Sequence, residues 1–462
     1  MGLQQLHSTL LKPTSIAPLV MFRIIFGAMM LLATLRFMAR GWVELLYVQP
    51  KFFFHYWGFS WVQHPLALGL PAWTVHAVYM LMAAAALGIL LGWRYRLSAG
   101  LFFLLFTYTE LWDLTNYLNH YYFTSLVAGL MVLLPAHRSF SLDVRRRPSL
   151  AVATVPAWTI YLLQFQLGVV YFYAGLAKLH PDWLLHAQPL RLWLPARADM
   201  PLIGPLFKEV WVAYFFSWFG CLYDLSIPFL LRWHRSRPLA YVAVIAFHVL
   251  TWLLFPIGMF PWIMIGSTLI FFSARFHQRL LDKLQRLLRW RLPRVPGSTY
   301  RMRPLLQRAL LMGLGLYVLV QLVFPFRYAL YPGNLYWTEQ GFRFSWRVML
   351  MEKAGSISFW VEDSATGRRL PVNTREYLNA QQEKMMATQP DMILQFAHFL
   401  KEDYSRKGVN APRVYADSWV SLNGRRSRPY LRSDVDLASL QDGWAPKDWI
   451  LPFDDTPYRA HR

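Results

Sequence analysis

Nine runs of mostly apolar residues, each near the length needed to cross a bilayer, constrain this chain more than any other feature. They fall at roughly 17–35, 72–92, 98–117, 121–136, 155–177, 209–231, 238–256, 258–273 and 309–326. A helix needs about 20 such residues to span the hydrocarbon core, and the fourth and eighth runs are short for a crossing. Backbone polar groups in lipid must be paired within their own segment, so the runs predict helices rather than isolated strands. The expected fold is an all-α polytopic membrane bundle of about nine transmembrane helices. No signal peptide with a small-residue cleavage site precedes the first run, which is therefore expected to stay in place, with the mature chain starting near Met1.

Charge sets the expected orientation. Arg94, Arg96, Arg138, Arg145, Arg146, Arg147, Arg232, Arg235, Arg237 and the basic stretch 275–308 all fall in loops of one parity. The positive-inside rule then places the N-terminus in the cytoplasm and everything after the ninth run outside. The net charge of +22 is read as topology; arginines separated by apolar spans make no nucleic-acid surface. The stretch Arg275–Arg294 has the pattern of a basic amphipathic helix lying on anionic membrane lipid. Cys221 is the only cysteine, which excludes an intramolecular disulfide and a cysteine-held cluster, and no metal site is expected.

After Phe326 the sequence alternates polar and apolar residues with turn signals, marking an extracytoplasmic domain over 331–462 after a membrane domain over 1–330. Strand-like alternation over Phe342–Glu362, a turn at Ser364–Gly367, helical composition over Thr374–Tyr404 and a β-rich Val414–Leu422 predict a small α+β fold. The aromatic, proline-rich loop at 37–71 is expected to lie along the outer interface.

Ionisable and amide side chains inside or beside the apolar runs are the functional candidates, because such groups are costly in a bilayer. They are Glu110, Asp113, Asn119, His120, Lys178, Asp224 and His248. Counting at 1.5 Å per residue puts Asn119, His120 and Lys178 at one depth near the outer boundary, His248 nearer the midplane and Asp224 in the inner half. Glu110, Asp113 and either Asn116 or Tyr117 recur at helical spacing and form one expected stripe into the bundle. Each has a plainer reading: Lys178 as a lysine reaching for headgroups, His120 as an interfacial residue, and His248 and Asp224 as hydrogen-bonding groups between helices. His120 and His248 as paired haem ligands is a further reading, opposed by their different depths.

Several blocks carry a family resemblance. The segment Tyr171–Trp183 (YFYAGLAKLHPDW) closely resembles the lysine-bearing segment of vitamin K-dependent γ-glutamyl carboxylases. Further blocks follow in that family's order: Asn119-His120-Tyr121; Asp224 with Ser226; Phe247-His248 with Ile257–Phe260; Trp337-Thr338, Gly341 and Ser345-Trp346; then Asp417, Trp419 to Ser421 and Asn423. The similarity runs from about Arg23 to Asp436. It implies an enzyme in which a lysine, here Lys178, takes a proton from vitamin K hydroquinone. O2 then converts the quinol to its epoxide, and the oxygenated species strips a γ-proton from a glutamate that captures CO2. The resemblance places Asn119 and His120 as the catalytic polar pair beside the quinone, and His248, Gln166, Tyr171 and Asp224 as residues of the quinol site. It also implies a glutamate-containing protein or peptide as partner. No side chain near neutral pH deprotonates an unactivated carbon, whereas a neutral amine can deprotonate a phenol, and low-dielectric surroundings favour the neutral amine in general.

The chain departs from the animal enzymes at Ala177, where they carry a second lysine, in lacking their cysteines, and in ending at Arg462. A bacterial member residing in the inner membrane is the expectation. An epoxidase uncoupled from carboxylation, and a transport or lipid-handling membrane protein, stay open as alternatives.

Overall fold

A computed structural model describes residues 3–290 and 297–454. Among the described residues six helices are long and apolar enough to cross a membrane: α1 (Ala17–Ala39), α2 (Trp73–Leu91), α5 (Trp158–Ala177), α6 (Val210–Arg232), α7 (Arg237–Leu254) and α10 (Pro304–Val323), the last extended by a 3-10 segment to Leu330. The other three apolar runs form shorter helices, α3 (Tyr95–Glu110), α4 (Asn119–Leu133) and α8 (Phe260–Thr268). Each has a local reason to stop or start. The third run breaks after Glu110, because Asp113 turns out of the helix and its side chain accepts from Thr115 N, capping a 3-10 turn. Leu118 is extended, so α4 begins only at Asn119, and α8 runs through a 3-10 turn into an extended Phe272. The expected polar stripe over Glu110, Asp113 and Asn116 or Tyr117 is therefore not a helix face.

The basic segments gather at one end of the bundle. Strands β1 (Pro13–Ser15) and β2 (Thr154–Pro156) pair antiparallel, and Thr154 bridges to Thr299. Buried Arg23 donates to Phe140 O at 2.5 Å, and the Asp143 carboxylate accepts from the Arg94 and Tyr95 amides at 2.7 and 2.9 Å. Gly92 is required there twice. Its φ of +62° is left-handed, a conformation that favours glycine, and a Cβ would fall 1.8 Å from Arg23 Nη1. The Arg232 guanidinium lies over Tyr161 at the start of α5, 5.1 Å from the ring centroid. Helix α9 (Ala274–Leu287) packs buried His277 and Leu281 beneath α1 and exposes Arg275, Arg279, Lys283 and Arg286. The expected amphipathic helix is shorter than 275–294, whose last residues, Arg291–Arg294, lie outside the described residues.

The C-terminal part caps the opposite end. Its sheet has order β4 (Arg369–Pro371), β3 (Lys353–Glu362), β5 (Arg413–Leu422), β6 (Arg428–Pro429), all antiparallel, with β3 and β5 in register from Lys353↔Leu422 to Glu362↔Arg413. Strand alternation buries Val414, Ala416, Ser418 and Val420 and exposes Asp417 and Trp419. Helix α11 (Ala380–Met386) and helix α12 (Pro390–Arg406) cover the buried face, where Phe359 meets Phe396. The expected strand over Phe342–Glu362 is confined to its second half. Gln382 Nε2 donates to Asp113 Oδ2 at 2.8 Å and to Phe52 O at 2.7 Å, so Asp113 joins the two parts of the molecule. The 37–71 loop is only partly interfacial in character. Phe52 packs on Phe54 and on Phe396 and Phe399 of the C-terminal part, while Trp57, Phe59 and Trp61 remain exposed. Residues 455–462, including Arg462, lie outside the described residues, as does Met1.

Candidate active site

Helix α5 ends at Ala177, and Lys178 is the residue that closes it. Helical side chains lean back toward the N-terminus, and this one does so: Nζ lies 3.3 Å from Ala174 O. It meets Asp224 Oδ2 at 2.6 Å in a pair that is 6% and 4% exposed. A glycine makes the meeting possible. A Cβ on Gly175 would lie 2.7 Å from Leu225 N, so only glycine lets α6 come this close to α5. On α6, Gly220 faces the lysine, with Lys178 Cε 3.9 Å from where its Cβ would stand. The Trp183 ring flanks Nζ at 5.4 Å, and its indole N–H donates to Ser217 O at 2.7 Å.

Two turns back along α5, the Tyr171 hydroxyl is 2.9 Å from His248 Nε2 and 3.5 Å from Thr268 Oγ1. His248 Nδ1 is buried without a partner among the described residues. Lys178, Asp224, Tyr171 and His248 all line one cavity of about 940 Å³ of atom-free space, counting its open mouth. Its remaining walls are apolar, chiefly Phe216, Phe219, Phe247, Leu250 and Trp193. A flat, apolar ring system with one or two hydroxyls matches such a lining.

Asn119 and His120 line a second, larger cavity of about 1480 Å³ on the same measure. Asn119 Nδ2 donates to Arg347 O at 2.8 Å and its Oδ1 accepts from Tyr117 at 3.1 Å, so much of its bonding capacity holds the 344–347 segment. The two cavities share four lining residues, Ile257, Phe260, Val348 and Met349. The Phe260 ring packs against both histidines, with centroids 5.3 Å from His120 and 6.0 Å from His248.

These placements correct the depth reading. Lys178 lines a different cavity from Asn119 and His120, and its side chain reaches back along α5 to Asp224 on α6. Asp224 is likewise not remote in the inner half. The histidines face separate cavities across Phe260, which removes the geometry of paired axial ligands. Gln166 lines neither cavity: its Oε1 accepts from Tyr317 at 2.5 Å in the packing of α5 against α10. Trp183 was legible only as part of the lysine segment, and nothing in sequence spacing marked Phe260 as the partition.

A third buried cluster steadies the lysine loop. Arg425 grips Asp182 through both nitrogens, at 2.7 and 2.9 Å, and Asn423 Nδ2 adds a contact of 2.7 Å. Burial alone pushes the Asp182 carboxyl up, but the Arg425 and Asn423 hydrogen bonds outweigh it and hold the group below its ordinary value. Asn423, of the last family-like block, is fully buried here. Trp419 of that block is 45% exposed.

Comparison with known families gives two matches that follow the architecture. Residues 11–276, more than half of the chain, match the HTTM domain. Residues 306–456 match the vitamin K-dependent gamma-carboxylase lumenal domain. No solved structure matches the chain at a significant level.

Proposed function

From the premise that this chain belongs to the vitamin K-dependent gamma-carboxylase family of membrane proteins, we propose that it oxidises vitamin K hydroquinone with O2 to the epoxide. We propose further that it couples this oxidation to carboxylation of protein glutamate with CO2. The observation that carries the reading is Lys178 Nζ on the wall of an apolar cavity, 2.6 Å from Asp224. An ammonium–carboxylate pair and its amine–carboxylic acid form differ by one proton moved along that contact. The second form presents a free amine to a quinol hydroxyl, and Asp224 holds the displaced proton. Tyr171 and His248 sit on the same wall, placed to orient the ring by hydrogen bonding. Dioxygen takes the electrons of the quinolate; one oxygen atom stays in the epoxide, and the other leaves as water with the proton drawn from the glutamate γ-carbon. The carbanion forms its new bond to CO2. An apolar lining keeps water from quenching the base before it reaches carbon.

Residues 1–330 then form the catalytic membrane domain and 331–462 the outer domain. The nine apolar helices cross the membrane with the arginine-rich end in the cytoplasm, α3, α4 and α8 as short crossings. Reporters fused after Arg147 and Arg237 are expected inside and one after Asp454 outside; an inner Asp454 would overturn this topology.

One observation favours epoxidation without carboxylation as a second reading. The four groups given to the quinol here, Lys178, Asp224, Tyr171 and His248, lie in the first cavity, whereas Asn423 of the outer domain is spent on Asp182. Purified protein given hydroquinone, O2, bicarbonate and a glutamyl peptide decides between them. Epoxide with carboxylated peptide supports the coupled enzyme, epoxide alone the second reading, and absence of both rejects the proposal.

A further inference from the structure

The second cavity differs from the first in chemistry. Part of its lining comes from the outer part of the molecule, including Glu339, Arg343 and Gln389. Two of the charges there are already matched, Glu339 by Lys353 at 2.9 Å and Arg343 by Asp391. Arg36, near the end of α1, also lines this cavity and, among the described residues, forms no ion pair.

A helix-end arginine in a membrane protein ordinarily stretches to the headgroups. Arg36 is placed otherwise. Its guanidinium stacks on Trp42, itself a cavity residue, 5.0 Å from the ring centroid. Its Nη1 stands 3.9 Å from where a Cβ on Gly258 would be, at the start of the segment that walls this cavity from the first. A planar guanidinium held against an aromatic face keeps its hydrogen-bonding edge free, and that edge matches a carboxylate in two parallel contacts. His120 lines the same space, across Phe260 from the cavity that holds Lys178.

We infer that the second cavity is the acceptor site: it takes a carboxylate-bearing side chain from the outer side, with Arg36 as the counter-charge. The identity of that acid as a peptide glutamate rests on the carboxylase reading. The two-cavity arrangement then separates the reactants by chemistry, the apolar quinol beside Lys178 and the anion beside Arg36, with one layer of side chains between them.

Direct binding tests this without turnover. A short peptide with one glutamate and its glutamine twin are titrated against full-length protein in nanodiscs. The wild type is expected to prefer the glutamyl peptide by roughly tenfold, the value of one charge-assisted contact. Arg36→Gln is expected to erase the preference, and Arg36→Lys to restore part of it, which guards against a folding defect. Arg40→Gln, a nearby basic residue that also faces Trp42 but does not line the cavity, is expected to keep it. No preference in the wild type, a preference that survives Arg36→Gln, or equal losses in the Arg36 and Arg40 variants overturns the inference. Epoxide formation on the same preparation keeps the two readings apart. Epoxide without a glutamate preference sinks the acceptor site alone, and a preference without epoxide sinks the quinol chemistry alone.

Discussion

Two buried aspartate–cation pairs lie four residues apart along the lysine segment and are built for different work. At Asp182 the cation is a guanidinium, both carboxylate oxygens are engaged, and Asn423 completes the set. At Lys178 the cation is an amine, the described contact to Asp224 runs through one oxygen, and both groups open onto a cavity. A guanidinium keeps its proton under all accessible conditions, whereas an amine can give its proton up. The first pair is suited to holding a loop and the second to moving a proton. Burial is similar in both, so what separates them is proton mobility and how fully the acid is satisfied.

Breaking each pair in the same way sharpens that contrast. Asp182→Asn takes two charge-assisted contacts from a buried guanidinium that cannot release its proton, and the expected cost is about 3–5 kcal/mol of stability, read as a lowered thermal midpoint of the purified protein. Asp224→Asn strands an amine that can shed its proton, so its midpoint should move much less. Its epoxidation rate should nevertheless fall about a hundredfold, the usual scale for removing a general acid–base partner. Equal stability losses, or normal turnover with Asp224→Asn, would erase the distinction.

A smaller effect concerns acid. Because the folded-state value of Asp182 is depressed, its contribution is fully present above the unfolded aspartate value of about 3.9. It is lost as pH falls through the lower folded value. The midpoint difference between wild type and Asp182→Asn should therefore narrow on acidification below about pH 4. A gap that stays constant would mean the variant acts through packing rather than charge.

Much of this was legible in the sequence, for reasons that also mark the limits. Hydropathy located the six helices long and apolar enough to cross a membrane and shorter helices in the other three runs, and loop arginines identified the segments that share an end of the bundle, because both signals are local. The depth arithmetic failed at Lys178 and Asp224. It counted backbone rise and ignored that a lysine side chain leans back along its helix and that Gly175 admits α6 at close range. Glu110 and Asp113 looked like one helix face because spacing cannot show that a helix ends between them. Arg36 had no signal at all. Only Trp42 and the bare Gly258 distinguish it from an arginine in the headgroups, and that is tertiary information. The Asp182–Arg425 contact joins positions 243 residues apart and has no local trace.

The central claim is that Lys178 works as a neutral base, and Lys178→Arg tests it most directly. The arginine keeps charge and approximate length but does not release its proton. Epoxide formation from vitamin K hydroquinone should fall almost as far in Lys178→Arg as in Lys178→Ala, in membrane-inserted protein with a wild-type thermal profile. Near-normal epoxidation by the arginine variant would contradict the account.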